Sequence, residues 1–402
     1  MKILVVCQYF FPEQFRVNDI CFELVKAGHE VTVLTGLPNY PGGVVDKRYK
    51  DFKNRVEEIN GVRVIRSWLM GRGKGTFGLA LNYLSFALSS TLKAMFMKPD
   101  FDVVLVYQLS PVTMAMPGIV LKKRTKKPLI LYCHDLWPES ITSAGISTEG
   151  MLYRVLLRLS KWIYRSADKL LISSKSFETY FRQRLGIHSS TTYLPVYAES
   201  LFEEIEEPKS QDQSIHLVFA GNIGETQSVE TIVLAANELK GEGHITFHIV
   251  GEGSSWDKCK ELAANLELTN IIFHGAYPVS EMPRFYEMAD AFLVTLKANK
   301  EISYTLPNKV QSYMAAGKPI IGAIDGETQM VINEADCGLC APAEDYMELA
   351  HLIKKFALER EKHFQYGRNA RDYYDRNFSK QIFMQRMNSV LTFAGGVQHV
   401  QR

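Results

Sequence analysis

Thr305-Leu-Pro-Asn-Lys-Val-Gln-Ser-Tyr-Met-Ala-Ala-Gly-Lys-Pro-Ile-Ile321 reads as a short helix with both ends marked, followed by a buried strand. Thr305 is placed to cap the helix, and Pro307 fits its first turn, where a missing N–H costs little. Gly317 fits the left-handed residue that ends a helix, and Pro319 keeps it from resuming. Ile320 and Ile321 open the strand. The free N–H groups and positive dipole end of such a helix form an anion site, and Lys309 adds a full charge in its first turn. Late in a chain of strand–helix units, that pattern points to a phosphate-bearing ligand. The plainer reading is a capped helix with a solvated lysine.

Working outward, strand-like runs alternate with helical patterns along the whole chain. In the first half they are Ile3–Cys7, Glu30–Leu34, Val62–Arg66, Val103–Tyr107, Leu129–Cys133 and Lys169–Ile172. They are β-branched and nearly continuous in apolarity, as in a parallel sheet covered on both faces. The rhythm restarts at Ile215–Ala220 and continues through Thr246–Val250, Ile271–His274, Ala291–Thr295 and Pro319–Gly322. Tyr197 to Ser214 is acidic, polar and without period, and reads as a linker. The expected fold is α/β, with two Rossmann-like, doubly wound domains facing each other over residues 1–197 and 198–378. A final helix in 379–402 would cross back to complete the first.

The 402 residues suit two cores rather than one. With 46% hydrophobic and 22% charged residues the composition is globular, which excludes a disordered chain. A net charge of +2 gives no reason to expect a nucleic-acid partner. The basic excess lies between Arg63 and Lys127. The cysteines sit mostly in apolar surroundings, as in a reduced cytosolic protein. Cys337-Gly-Leu-Cys340 lacks the second pair or histidine of a zinc site. Lys2 to Cys7 is too short for a signal peptide, and the apolar run Phe77 to Leu92 is too short to span a bilayer.

Ligands of open α/β sheets bind beyond the carboxyl ends of the strands. The first strand is followed by Gln8-Tyr-Phe-Phe-Pro-Glu-Gln-Phe-Arg16-Val-Asn18, not by the G-x-G-x-x-G of a dinucleotide dehydrogenase. Arg16 and Asn18 are placed to meet an anion or a sugar, or to anchor the helix expected at Asp19–Ala27. The fifth strand leads into Cys133-His134-Asp135-Leu136-Trp137-Pro138-Glu139-Ser140. There a carboxylate can bind a hydroxyl or take a proton, and tryptophan can stack on a sugar ring. His134, Asp135 and Glu139 are therefore the catalytic candidates. In the second half, Gly221-Asn222-Ile-Gly224 with Gln227, and Gly251-Glu252-Gly253, are glycine turns that let backbone approach a ligand closely. With Pro307, Asn308 and Lys309 they line one phosphate-friendly face. Asp100-Phe-Asp102 precedes its strand, at the wrong end of the sheet, and reads as a turn. Met151 to Arg165 alternates basic and apolar residues, and Phe77 to Lys98 is an apolar helix flanked by Lys74, Lys93 and Lys98. Either could lie on an anionic bilayer, or be a packed helix with solvated charges.

Together these residues resemble the family 4 glycosyltransferases of the GT-B fold, and among them the WbuB-type L-fucosamine transferases of O-antigen and capsule assembly. The likeness runs over nearly the whole chain. It rests on Tyr9–Asn18, Gly36-Leu-Pro-Asn-Tyr-Pro-Gly-Gly43, Asp135–Ser140, Gly221–Gly224 with Gln227, and Pro307–Pro319. It implies a retaining transfer from a nucleotide sugar, UDP-N-acetyl-L-fucosamine being favoured, with no metal or other cofactor required. The acceptor would be a polyprenyl-diphosphate-linked saccharide, and the enzyme peripheral on the cytoplasmic face of the plasma membrane. The second domain would hold the diphosphate and the first the acceptor, with His134 and Asp135 near the transferred sugar. Asn222 and Gln227 stand where many members carry an Arg and Lys pair, and Tyr304 and Ser312 where they carry two glutamates. Neutralising the diphosphate then falls more on Arg16, Lys309 and the helix dipole. The alternatives are a UDP-sugar 2-epimerase on the same scaffold and a non-catalytic nucleotide-sugar-binding partner.

Overall fold

The computed structural model describes residues 1–51, 53–73, 75–144, 148–205 and 214–396; Lys74, part of the expected linker and the end of the chain lie outside them. The chain divides into two units, Met1–Leu194 with Met384–Arg402, and Pro195–Phe383.

The first unit is built on β1 (Lys2–Val6), β2 (Glu30–Thr35), β3 (Val56–Ile59), β4 (Val62–Arg66), β5 (Val103–Gln108), β6 (Leu129–Cys133), β7 (Lys169–Ile172) and β8 (Thr191–Tyr193). They form one sheet in the order β3-β4-β2-β1-β5-β6-β7-β8, parallel except where β3 meets β4. The helices are α1 (Arg16–Lys26), α2 (Gly75–Phe96), α3 (Met116–Thr125), α4 (Met151–Ser166) and α5 (Ser176–Gln183). Right-handed crossovers put α1 on one face of the sheet and α2 to α5 on the other, and α3 packs between α2 and α4. β5 and β6 are buried along their whole length, which explains their unbroken apolarity.

The second unit carries β9 (Ile215–Ala220), β10 (Ile245–Val250), β11 (Ile271–Gly275), β12 (Ala291–Thr295), β13 (Ile320–Ala323) and β14 (Gly338–Ala341). All are parallel, in the order β11-β10-β9-β12-β13-β14. Its helices are α6 (Val229–Glu238), α7 (Trp256–Asn265), α8 (Pro283–Met288), α9 (Lys300–Ser303), α10 (Asn308–Ala315), α11 (Glu327–Ala335), α12 (Tyr346–Leu358) and α13 (Arg360–Asn377). The last helix, α14 (Lys380–Ala394), leaves this unit and returns to the first, where Asn388 Oδ1 lies 3.1 Å from His29 Nε2.

Every strand expected above is present, with ends shifted by at most one residue. β3, β8 and β14 were not expected. The first is a polar edge hairpin, the second has three residues, and the third, Gly-Leu-Cys-Ala, has no β-branched residue. Thr305 does not cap α10. Its hydroxyl donates to Ile302 O at 2.7 Å, closing α9, and Pro307 is the N-cap residue instead. Gly317 does take the left-handed position, with φ +64. The start of the linker is no free tether, since Tyr197 is buried and Phe202 stacks on Tyr286 at 4.2 Å. Asp100 and Asp102 hold Lys2 at the far edge of the sheet, through its ammonium and its backbone N–H, both by side-chain oxygens. They precede β5, at the amino end of its strand, as their place in the sequence indicated.

On one face of the second sheet, His216 Nδ1 lies 3.1 Å from His248 Nε2, and His248 Nδ1 lies 3.0 Å from His274 Nε2. Two neutral hydrogen bonds require the three tautomers to run in one direction. Burial, and then the neighbouring imidazoles, lower the pKa of His248 to about 4. The unfolded chain therefore binds more protons than the folded one between pH 6.5 and 4. Stability is full above 6.5 and falls across that window, by roughly 3 kcal/mol at most from this residue. His248→Gln is expected to flatten the dependence of Tm on pH between 6.5 and 4 in thermal melts. An unchanged slope would show that the triad does not carry it.

Candidate functional site

The loops that follow β9 and β10 cross with no room to spare. Gly221 has φ +144 and Gly251 φ +135, conformations that glycine adopts without strain. A Cβ on Gly251 would lie 1.9 Å from Gly221 O, and one on Gly253 would lie 2.5 Å from the carbonyl of Ile223. Gly221 N donates to Val250 O at 2.9 Å, and Ile223 N to Glu252 O at 2.9 Å. The glycine turns thus lock to each other through backbone, leaving the Glu252 side chain exposed.

The N-terminus of α10 is fastened to the same place. Tyr313 OH donates to Ala220 O at 2.9 Å and accepts from Ala220 N at 3.0 Å, while its ring stacks on Phe292 at 3.9 Å. Pro307 is extended, Val310 N bonds back to Pro307 O, and the N–H groups of Asn308 and Lys309 have no acceptor within the helix. The Lys309 side chain is partly exposed, but its ammonium end is buried. Nζ has no hydrogen-bond partner among the described residues and lies 3.8 Å from the centre of the Phe219 ring. A Cβ on Gly221 would come within 3.1 Å of that nitrogen, so the glycine also clears its path. Burial lowers the Lys309 pKa to about 7.

Asn222 is exposed, with its side-chain amide folded over Gly224. Gln227 Oε1 is buried without a partner among the described residues, and its backbone O accepts from Thr295 Oγ1 at 2.6 Å. The structure therefore gathers Gly221, Asn222, Gln227, Gly251, Pro307, Asn308 and Lys309 at the carboxyl end of the second sheet. Ser312 is buried in α10 with its hydroxyl directed to Asn308 O, and supplies no carboxylate. A carboxylate that the motifs did not reveal stands nearby. Glu344 follows β14, accepts from Ala298 N at 2.9 Å and lies 3.4 Å from Lys297 Nζ. Its strand, Gly-Leu-Cys-Ala, carries no strand signal in the sequence, which hid it.

In the first unit, Asp135 Oδ2 accepts from Ser110 N at 2.9 Å, and Gln108 Nε2 donates to Asp135 O at 3.0 Å. Burial raises the Asp135 pKa, and its bonds to Ser110 oppose the rise. The His134 ring lies between Tyr107 and Tyr132, at 4.1 and 4.0 Å, with Nε2 buried and unpartnered among the described residues. Burial lowers its pKa to about 3, so the ring is neutral near pH 7. The Tyr107 phenol feels both Arg16 and Asp135, which places the charge of Arg16, in the first turn of α1, near this carboxylate.

Three candidates are held by their own surroundings. Asn18 Oδ1 accepts from Phe11 N and its Nδ2 donates to Glu13 O, so the amide clamps its own loop. Trp137 is buried, which leaves no free ring face for a sugar. Glu139 is buried too, with both carboxylate oxygens 2.6 Å from Tyr153 OH. A further buried acid, Glu13, accepts from the backbone N–H groups of Asn39 and Tyr40; burial pushes its pKa up to about 7. It ties the first two strand-end loops together.

Known proteins match both units. Residues 14–196 fit the model of the glycosyl transferase 4-like domain, and residues 202–373 that of the glycosyl transferases group 1. WbjE of Pseudomonas aeruginosa, named as a glycosyltransferase, is 27% identical over 69% of this chain and 70% of its own. WcaI of Escherichia coli K12, named as a colanic acid biosynthesis glycosyl transferase, is 26% identical over 97% of this chain and 100% of its own. The structure of Anabaena HepE in complex with UDP-glucose superimposes with a TM-score of 0.70 at 15% identity, covering 98% of this chain and 100% of that one. With both of its Rossmann-like units matched along nearly their whole length, the chain is a glycosyltransferase of the GT-B fold, its first half belonging to the glycosyl transferase 4-like family and its second to glycosyl transferases group 1.

Proposed function

We propose that this glycosyltransferase moves a sugar, N-acetyl-L-fucosamine being favoured as in WbuB-type enzymes, from its UDP donor to a polyprenyl-diphosphate-linked saccharide, with retention at the anomeric carbon. The observation that carries the donor half is the buried, unpartnered Lys309 ammonium beside the α10 N-terminus. A diphosphate there meets a fixed cation, unbonded N–H groups and glycine backbone in one place. The HepE complex with UDP-glucose supports a uridine donor, and the naming of WcaI for colanic acid supports a role in surface polysaccharide assembly. Charge neutralisation by Lys309 and the helix dipole requires no metal. Asp135, with its raised pKa and its anchor on Ser110, is the group suited to hold or deprotonate a sugar hydroxyl. Neutral His134 holds a second polar group of the sugar. The acceptor is met at the anionic inner face of the plasma membrane.

Purified protein incubated with a panel of UDP-sugars and a GlcNAc-diphosphate lipid is expected to transfer one of them, with the α- or β-configuration of the donor kept in the product by NMR. No transfer from any donor by folded protein would overturn the proposal. Asp135→Asn is expected to lower kcat by about 10²–10⁴-fold with UDP affinity unchanged; loss of UDP affinity instead would assign Asp135 to binding.

Lys309 gives a pH signature. Its ammonium, not its amine, binds the diphosphate. Above about pH 7, where the diphosphate is fully ionised, affinity for UDP should weaken by up to about tenfold per unit as the empty site loses its proton. Calorimetric titration should show this in the wild type, and weak, pH-insensitive binding in Lys309→Met.

A further inference from the structure

The loops after β1 and β2 meet over three rings. Tyr9 and Phe15 stack with their centres 5.0 Å apart, and Tyr40 leans on both, at 5.8 and 5.3 Å. Tyr9 is buried, but Tyr40 is 44% exposed, so the cluster offers solvent one ring held in place by two others. Arg72 lies over that ring, its guanidinium carbon 5.7 Å from the centre. The guanidinium has no hydrogen bond or ion pair with any of the described residues; only its backbone N–H is bonded, to Asn39 Oδ1 at 3.3 Å. A cation over an exposed ring gains about 0.5–1 kcal/mol, and its planar fork of donors stays open to a ligand.

The backbone beneath this pair is clamped. Gly43 N donates to Asn39 O at 2.7 Å, and Gly73 N to Gly43 O at 2.9 Å. A Cβ on Gly71 would lie 2.7 Å from Gly43 O, and one on Gly78 would lie 2.6 Å from Arg72 O. The segment that carries Arg72 is thus pressed on the segment that follows Tyr40 at a separation only glycine allows. Buried amides continue the clamp inward. Asn82 Nδ2 donates to Asn39 Oδ1 at 3.1 Å, and Gln8 Nε2 to Asn82 Oδ1 at 2.7 Å. One polar chain therefore runs from the end of β1 to the backbone of Arg72.

The pair stands at the end of the sheet where ligands bind. Tyr40 and Arg72 follow β2 and β4, which are neighbours, and Asp135 follows β6 on the same carboxyl side. Tyr83, in α2, connects them. Burial raises its pKa; the charge of Arg72 opposes that rise and the charge of Asp135 adds to it, so the phenol lies near both. Of the two diphosphates in the reaction proposed above, the donor's has Lys309 and the N-terminus of α10. The acceptor's has no cation yet, and Arg72 is a cation without an anion.

We propose that Arg72 and Tyr40 select the acceptor: the guanidinium takes its diphosphate, and the Tyr40 ring takes the apolar face of the sugar joined to that diphosphate, which turns a hydroxyl of this sugar toward Asp135. This deepens the acceptor reading above and rests on it. A guanidinium fork matches two phosphate oxygens at once, as an ammonium does not. A ring fixed by Tyr9 and Phe15 loses little freedom when a sugar settles on it.

The test sets a GlcNAc-diphosphate lipid with a short prenyl chain against octyl β-GlcNAc, which lacks the diphosphate. Each is titrated into the full chain by calorimetry, and each is assayed as acceptor. The wild type is expected to bind the diphosphate lipid at least about tenfold more tightly. Arg72→Met should remove most of that preference, and Arg72→Lys, which keeps the charge but not the fork, should fall between. Tyr40→Ala should weaken both ligands by about fivefold. Equal binding of the two ligands by the wild type, or a preference that survives in Arg72→Met, would overturn the proposal. The two measurements separate the readings. Transfer by a protein whose preference ignores Arg72 sinks the acceptor site alone. An Arg72-dependent preference without transfer from any donor sinks the transferase reading alone.

Discussion

An ammonium buried without a carboxylate partner among the described residues sets the terms for the second unit. A pKa brought down to about 7 corresponds to roughly 5 kcal/mol less favourable solvation of the charged Lys309 than in water. The face of Phe219 returns part of that, since an aromatic ring attracts a cation. The surrounding structure keeps the nitrogen where it is. A Cβ on Gly251 would lie 1.9 Å from Gly221 O, and Tyr313 bonds both backbone polar atoms of Ala220, which fixes α10 against the end of β9. The diphosphate proposed to bind there would draw on all of these features at once.

The first unit solves the opposite problem. Its strand ends carry groups that burial keeps uncharged or reluctant to charge: His134 neutral between two tyrosines, Asp135 raised, Glu13 raised to about 7. Neutral donors and acceptors suit hydroxyl groups, as cations and helix N-termini suit phosphate. The two sheets share a parallel, doubly wound plan, yet the chemistry at their carboxyl ends differs because the residues after each strand differ. The plan decides where a ligand meets the protein; the loops decide which.

The strands of both sheets other than β3, β8 and β14 were legible because burial on both faces demands unbroken β-branched runs. β14 was not, since Gly-Leu-Cys-Ala takes its place from pairing with β13 rather than from its own preference. Glu344 was lost with it. Lys309 and the glycine turns were legible from spacing alone. Trp137, Glu139 and Asn18 were read as facing a ligand because they follow strands, but a short motif does not say which side chains turn inward. Tyr153 claims Glu139, and the backbone of its own loop claims Asn18. Thr305 went to the nearer helix end, α9, which closed first along the chain.

α2 shows the same limit from the other side. Its composition is so evenly apolar that periodicity cannot orient it, and a sequence reading can only say that it might be core or surface. What orients it is Asn82, the polar residue least expected to decide a burial question. A buried amide must have its hydrogen bonds, and Gln8, Asn39 and Met70 supply them at the ends of three segments that converge beneath the helix. Once that amide is inside, the 3.6-residue repeat carries Leu84, Leu88 and Leu92 outside. The exposed stripe is therefore the consequence of one satisfied polar network in the core, and a substitution such as Asn82→Leu would remove the constraint that turns the helix outward.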